Sequence, residues 1–271
     1  MRVALVQTQT PADQERALEH VAPLVREAAK TGASLILTPE AVNLIERRRD
    51  RRDAALRTEG DDPCVIGLRD LARELSVHLL IGSAMLKGPD GRAVNRSLLA
   101  GPDGEIIARY DKIHLFDVDL PTGESVRESD GVAPGGRAVV ADVPEARLGL
   151  TVCYDIRFPH LFRALARAGA DLIAAPAAFT VPTGQAHWEV LLRARAIETG
   201  AFVLAPAQGG LHEDGRSTWG RSLIVDPWGQ VVAAADHDRP CILSADLDLG
   251  AVARARAAIP QLTHDREFQG P

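Results

Sequence analysis

An α/β fold, built as a four-layer α-β-β-α sandwich with an internal pseudo-two-fold repeat, is what this 271-residue sequence predicts. Three observations carry that prediction. Short apolar runs of β type alternate with amphipathic helical segments, the pattern of sheets covered by helices. Two blocks of sequence recur in the same order at constant spacing. No linker divides the chain, so both halves share one core.

The first strand is Val3 to Gln7, and a helix follows over residues 17–30. It delivers Gly32-Ala33-Ser34-Leu35-Ile36 and Pro39, a run that stops at Glu40. The same block returns 137 residues later: a helix over residues 160–167, then Gly169-Ala170-Asp171-Leu172-Ile173 and Pro176. The next helices are residues 63–75 in the first half and 187–198 in the second. A hairpin then closes each half. Arg96-Ser97-Leu98-Leu99, Pro102, Gly104 and Ile106-Ile107-Ala108 match Arg221-Ser222-Leu223-Ile224, Pro227, Gly229 and Val231-Val232-Ala233, all 125 residues apart. The Gly-Pro-Asp-Gly and Asp-Pro-Trp-Gly stretches inside them are turn chemistry. Two sheets of this kind, each with helices on one face, bury their other faces against each other. The whole chain, residues 1–271, reads as one domain, with residues 247–271 a tail expected at a dimer interface.

Composition narrows the function classes. A formal net charge of -6 gives no footprint for nucleic acid or an anionic membrane. The one basic run, Arg47-Arg48-Arg49 and Arg51-Arg52, is broken by Asp50 and followed by Asp53. It reads as a solvated helix face or loop, or as a cationic lip near Glu40 that draws in anionic substrates. No segment has the length and apolarity of a membrane span or a signal-peptide core. The 3 cysteines are far apart and give no disulfide framework, which points to a reducing cytoplasm. The 8 histidines never adopt metal-ligand spacing, so no metal is expected. Aromatic content of 4% argues against a pocket for a large aromatic acyl group.

Three β-type runs end at reactive side chains. One leads to Glu40, one through Tyr110-Asp111 to Lys112, and one through Leu148-Gly149-Leu150-Thr151-Val152 to Cys153. A carboxylate, an ammonium and a thiol at strand ends can converge where α/β sheets bind ligands, and they suffice for hydrolysis through a thioester. Their positions break the repeat: Ala177 matches Glu40 and His237 matches Lys112. Cys64 and Cys241 lie in apolar runs and read as buried fillers. Cys153 stands at a strand-turn-helix elbow, with Pro159 opening the helix, the geometry that exposes a nucleophile. Its base is His114, His160 or His187, or a carboxylate in the place of Glu40.

Thr38-Pro39-Glu40, Tyr110-Asp111-Lys112-Ile113-His114-Leu115-Phe116-Asp117 and Gly149 through Pro159 resemble the three signature segments of the nitrilase superfamily of carbon–nitrogen hydrolases. That resemblance implies Cys153 as nucleophile, Glu40 as general base and Lys112 as oxyanion-stabilising cation beside the Tyr154 N–H. A second active-site glutamate is implied at Glu128, with Glu124 the nearby rival. Also implied are a homodimer formed through helices near the site, a small-molecule amide substrate and no cofactor. The stretch from Ala178 to Glu189 and Arg193-Ala194-Arg195-Ala196-Ile197-Glu198 are similar to the Nit-type branch, closest to deaminated-glutathione amidases and ω-amidases. Such substrates carry a carboxylate, for which Arg157 or Arg193 is a candidate clamp, with Phe116, Phe179 and Thr183 as pocket walls. Gly220-Arg221-Ser222 and the Arg47–Arg52 segment depart from the branch pattern and are expected at the entrance. An N-carbamoyl amino acid or aliphatic amide hydrolase, an isochorismatase-like hydrolase on a single open sheet and a silent interaction protein are the competing readings.

Overall fold

The computed structural model describes residues 1–120, 123 and 125–270. Its first half runs β1 (Arg2–Gln7), α1 (Gln14–Lys30), β2 (Leu35–Leu37), α2 (Arg49–Ala55), α3 (Pro63–Leu75), β3 (His78–Lys87), β4 (Ala93–Ala100) and β5 (Ile106–Asp111). A connection carries the hairpin β6 (Asp117–Asp119) and β7 (Ser125–Arg127), then β8 (Val132–Ala133). The second half is β9 (Val139–Val143), β10 (Ala146–Leu150), α4 (Pro159–Arg167), β11 (Leu172–Ala174), α5 (Val181–Thr199) and β12 (Phe202–Ala205). The hairpin β13 (Gly209–Leu211) and β14 (Ser217–Trp219) follows, then β15 (Leu223–Val225), β16 (Val231–Ala234), β17 (Cys241–Asp246) and α6 (Gly250–Ala258).

The two large sheets have one topology. The first is ordered β17-β1-β2-β3-β4-β5, and the second β9-β10-β11-β12-β15-β16. In each, three parallel strands lead into an antiparallel hairpin, and a sixth strand pairs antiparallel with the first. The expected duplication is therefore real, down to its turns: Gly104 N–H donates to Gly101 O and Gly229 N–H to Asp226 O, both at 2.9 Å.

Alternation along the strands builds the layers. Val3 and Leu5 of β1 pack with Leu148 and Leu150 of β10, while Ala4 and Val6 pack with Val21 and Val25 of α1. Successive side chains point to opposite faces, so one strand serves two interfaces. In α1, Ala17, Val21, Val25 and Ala28 make the buried stripe, and the Asp13 side chain caps the helix by accepting from the Arg16 N–H. Asp62 caps α3 by accepting from the Val65 N–H, with Pro63 in the first turn.

Several boundaries differ from expectation, and α1 begins at Gln14 rather than 17, directly after its Asp13 cap. The second-half helix begins at Val181 rather than 187, because Pro182 is tolerated in a first turn and Gly184 lets Trp219 lie against the helix. A Cβ at Gly184 would stand 2.3 Å from Trp219 Cγ. The strand before Cys153 ends at Leu150, leaving Thr151 and Val152 to carry the chain out of the sheet. The tail folds back on its own chain, where Arg256 donates to Thr199 O and Ala170 O, and Gln261 to Ile197 O.

Candidate active site

β2 runs out through Thr38 and Pro39 to Glu40, β5 ends one residue before Lys112, and β10 leads to Cys153. β2 and β5 belong to one sheet and β10 to the other, so the site straddles the seam between the halves. The chain turns sharply at the acid and at the thiol: Ala41 has φ 53° and Cys153 φ 51°. Left-handed backbone costs an ordinary residue on the order of 1–2 kcal/mol and persists only where the surroundings enforce it. Here the Ala41 N–H donates to Ser83 Oγ and the Cys153 N–H to Pro176 O, each at 2.9 Å. Beneath them Gly82 is the point of closest approach, since a Cβ there would lie 1.9 Å from Thr38 O and 2.6 Å from Pro176 Cβ. Tyr154 is the second residue of a short 3-10 helix that begins at Cys153, and its N–H has no partner among the described residues.

Lys112 is the hub, at 2% exposure. Its Nζ donates to Glu40 Oε1 at 3.0 Å and to Glu128 Oε2 at 2.9 Å and Oε1 at 3.2 Å. An ammonium has three N–H groups; with one shared by the two oxygens of Glu128 and one given to Glu40, one remains for a substrate oxygen. Glu40 Oε1 also accepts from Asn95 Nδ2 at 2.9 Å, and Oε2 from the Ala178 N–H at 2.8 Å. The Cys153 thiol lies beside the same carboxylate, close enough that each group shifts the titration of the other. Glu128 Oε2 accepts from the Phe116 N–H at 2.6 Å.

The charges follow from this packing. Burial alone pushes Glu40 up, but the Lys112 charge and the hydrogen bonds from Cys153, Lys112 and Asn95 win, holding it below the ordinary glutamate range. Burial also opposes a charged Lys112, and the charges of Glu128 and Glu40 overcome it, raising its pKa well above the usual value. Cys153 moves upward: burial and the Glu40 charge push the thiol well above its ordinary value, and Lys112 offsets this only in part. The resting centre is carboxylate, ammonium and thiol. Two carboxylates around one ammonium leave the floor with one uncompensated negative charge.

A cleft of about 560 Å³ opens above these groups, and Phe116, Tyr154, Phe179 and Thr183 are among the residues that line it. The two clamp candidates are elsewhere. Arg193 donates to Gly229 O and pairs with Glu189 on the outer side of α5. Arg157 sits over the Tyr154 and Phe179 rings and contacts His187 Nδ1, behind the wall rather than on it. Both guanidiniums are taken by packing partners. Arg221 is also off the cleft, stacked on Trp219 and bonded to Asp236 O. Of the basic run, α2 has no buried residue, and Arg47, Arg48 and Arg52 line the cleft mouth. Glu124 lies outside the described residues. Cys64 is fully buried and Cys241 half-buried in β17. His114 is bound to Asp155 and His187 to Arg157, while His160 packs edge-on to His114 and Phe158, so Glu40 is the group at the thiol.

Two residues escaped the sequence reading. Asn95, 2% exposed, bridges Glu40 and, at 3.4 Å, Glu128 Oε1. Its counterpart in the repeat is Gly220, so the same breach of symmetry that marks Glu40 and Lys112 marks Asn95. Asp155, wholly buried, ties the elbow to the lysine segment. Its Oδ2 accepts from Tyr110 OH at 2.6 Å and the Val152 N–H at 2.8 Å, while Oδ1 meets His114 Nδ1 at 2.7 Å and the His114 N–H at 3.1 Å. Sequence proximity to Cys153 was its only signal.

The carbon–nitrogen hydrolase family model matches residues 2–257. A deaminated glutathione amidase of Yersinia enterocolitica is 42% identical over 240 residues, covering 87% of this chain and 83% of that one. The NitFhit protein of C. elegans superposes with a TM-score of 0.88 at 34% identity, over 98% of this chain and 65% of that longer one. This chain thus spans about two thirds of NitFhit. An amidase from Nesterenkonia sp. AN1, carrying a Michael adduct of acrylamide at its active-site cysteine, superposes at 0.79 with 29% identity, over 96% of this chain and 98% of that one. With the duplicated sandwich and a buried cysteine beside two glutamates and a lysine, these matches make the chain a member of the carbon–nitrogen hydrolase family, acting as a cysteine-dependent amidase.

Proposed function

We propose that this amidase cleaves a small carboxylate-bearing amide, of the deaminated-glutathione or ω-amide kind, with Cys153 as nucleophile and Glu40 as its base. The observation that carries the reading is one buried lysine held between two glutamates, with the Cys153 thiol beside the first of them. Glu40 takes the thiol proton as Sγ bonds the amide carbon. The oxyanion is received by the third N–H of Lys112 and the Tyr154 N–H, donors worth about 3–4 kcal/mol each when preorganised. Glu40 then gives its proton to the nitrogen, the carbon–nitrogen bond breaks, and amine or ammonia departs from a thioester. Water, giving a proton to Glu40, attacks the thioester carbon and Sγ leaves with that proton restored. Glu128 and Asn95 keep Lys112 and Glu40 in place between steps. The substrate class rests on the Yersinia relative, which bears the name deaminated glutathione amidase.

The test is product release from deaminated glutathione, α-ketoglutaramate, succinamate, aliphatic amides, an N-carbamoyl amino acid and a nitrile. Turnover of a carboxylated amide by the parent and its loss in Cys153→Ala are expected. Turnover of uncharged amides alone would move the reading to an aliphatic amide hydrolase.

The working form we infer is a homodimer in a reducing cytoplasm. Val190 and Ile197 of α5 are 68% and 49% exposed, with Ile259 beyond α6 at 51%, an apolar face suited to a second copy. Three unpaired cysteines suit a reducing compartment. Light scattering on the purified protein decides the first point, and fractionation of the source cells the second.

A further inference from the structure

We propose that Arg47, on the wall of the cleft mouth, is an anion subsite that binds a substrate carboxylate remote from the scissile carbonyl. The inference deepens the amidase reading and rests on it. Five arginines line the mouth: Arg47, Arg48, Arg52, Arg127 and Arg216. Three are committed. Arg52 pairs with Asp53 at 2.8 Å, Arg127 with Asp119 at 2.8 Å, and Arg216 with Asp214 at 2.9 Å. Arg48 reaches Asp50 only at 3.6 Å. The Arg47 guanidinium has no hydrogen-bond or ion-pair partner among the described residues, yet its backbone is fixed. Its N–H donates to Asp214 Oδ2 at 2.9 Å, and that carboxylate is itself buried and gripped by Arg216. The neighbouring acid, Glu46, is turned onto the Arg48 N–H at 2.8 Å and so leaves Arg47 unneutralised.

The floor supplies the other half of the argument. Lys112 is shared by Glu40 and Glu128, so the catalytic centre carries surplus negative charge and repels an anion placed beside the reacting carbon. A carboxylated substrate is therefore accepted only if its charge lies away from the carbonyl. With Arg157 and Arg193 outside the cleft, the free cation at the mouth is the group that meets it. A cleft of about 560 Å³ has room for an extended amide rather than a minimal one. Arg47 thus sets a length preference: amides with a carboxylate on a spacer over short acids and over neutral amides.

The test uses alkylating amides that report on Cys153 without requiring turnover. N-iodoacetyl-6-aminohexanoic acid is compared with its methyl ester, and iodoacetate with iodoacetamide, by mass-spectrometric rates of Cys153 labelling. In each, Glu40 takes the thiol proton, Sγ bonds the methylene carbon and iodide leaves. The tailed acid should label about two- to five-fold faster than its ester at low salt, the upper part of the range for an exposed ion pair. Iodoacetate should be slower than iodoacetamide by more than in free cysteine. Arg47→Gln should bring the acid-to-ester ratio close to one, Arg47→Lys should restore part of it, and salt should erode it in the parent. A ratio unchanged in Arg47→Gln, or no preference in the parent, overturns the subsite while leaving the nucleophile intact. Failure of every probe to label Cys153 ahead of Cys241 overturns the amidase reading and the subsite with it.

Discussion

Replacing Asp155 with asparagine keeps the shape of a wholly buried side chain and removes its charge. The carboxylate accepts from Tyr110 OH and the Val152 N–H on one oxygen, and meets His114 Nδ1 and the His114 N–H on the other. Whichever way the new amide turns, its NH₂ faces a backbone N–H that cannot become an acceptor. Two hydrogen bonds to a charged acceptor are lost, at about 1.5–3 kcal/mol each, or about 3–6 kcal/mol together. At roughly 2–4 °C per kcal/mol in a domain of this size, the melting temperature should fall by on the order of 10 °C. Activity should fall further than stability alone requires, because the bond network joins the β5 end, which aims Lys112, to the elbow that aims Cys153. A misplacement of about 1 Å between such groups costs on the order of 100-fold in rate. Thermal melting by circular dichroism and kcat for the best amide measure both effects. Tyr110→Phe removes one donor and leaves the other contacts, so it should show about half the thermal loss and remain soluble. An Asp155→Asn protein that melts within about 2 °C of the parent, with undiminished kcat, would refute the claim that Asp155 joins the two halves of the site.

Glu40→Gln should cost roughly 100- to 10,000-fold in kcat by removing the general base. It should also lower the pH at which the Cys153 thiolate forms, since the Glu40 charge is one of the forces holding that thiol up. Thiolate absorbance at 240 nm separates the two effects, and a thiolate already present in the parent at neutral pH contradicts the resting thiol. The pKa of Glu40 is depressed in the fold, so its stabilising contribution is full above the ordinary glutamate value and is lost as pH falls through its lower folded value. Melting temperature followed down in pH should therefore drop less steeply in Glu40→Gln than in the parent. Lys112→Met strands two carboxylates and should cost about 3–5 kcal/mol in denaturant titration. Adding Glu128→Gln should recover part of that loss, and a double variant no more stable than the single one contradicts the shared-lysine picture. Gly82→Ala should fail to accumulate as soluble protein, because its Cβ would collide with Thr38 O and Pro39 O, which are backbone and cannot swing aside.

The sequence by itself determined the architecture and the reactive trio. Both are written locally: strand and helix periods identify the layers, and the 137- and 125-residue spacings identify the duplication. Where that repeat breaks, at Glu40 against Ala177 and Lys112 against His237, the buried acid–lysine pair of the candidate site lies. Asn95 was legible by the same test. Asp155 was not, because nothing in a sequence tells a buried acceptor of four contacts from an ordinary acid two residues past a cysteine. Tertiary structure alone decided which arginines line the cleft. Arg157 and Arg193 look suited to a carboxylate, yet stacking on Tyr154 and Phe179 takes one and Gly229 O takes the other, whereas Arg47 sits in a run that reads as solvated surface. A guanidinium is available only if no acid, carbonyl or aromatic ring within reach has claimed it. That depends on neighbours such as Asp214, 167 residues along the chain from Arg47, which only the fold brings together.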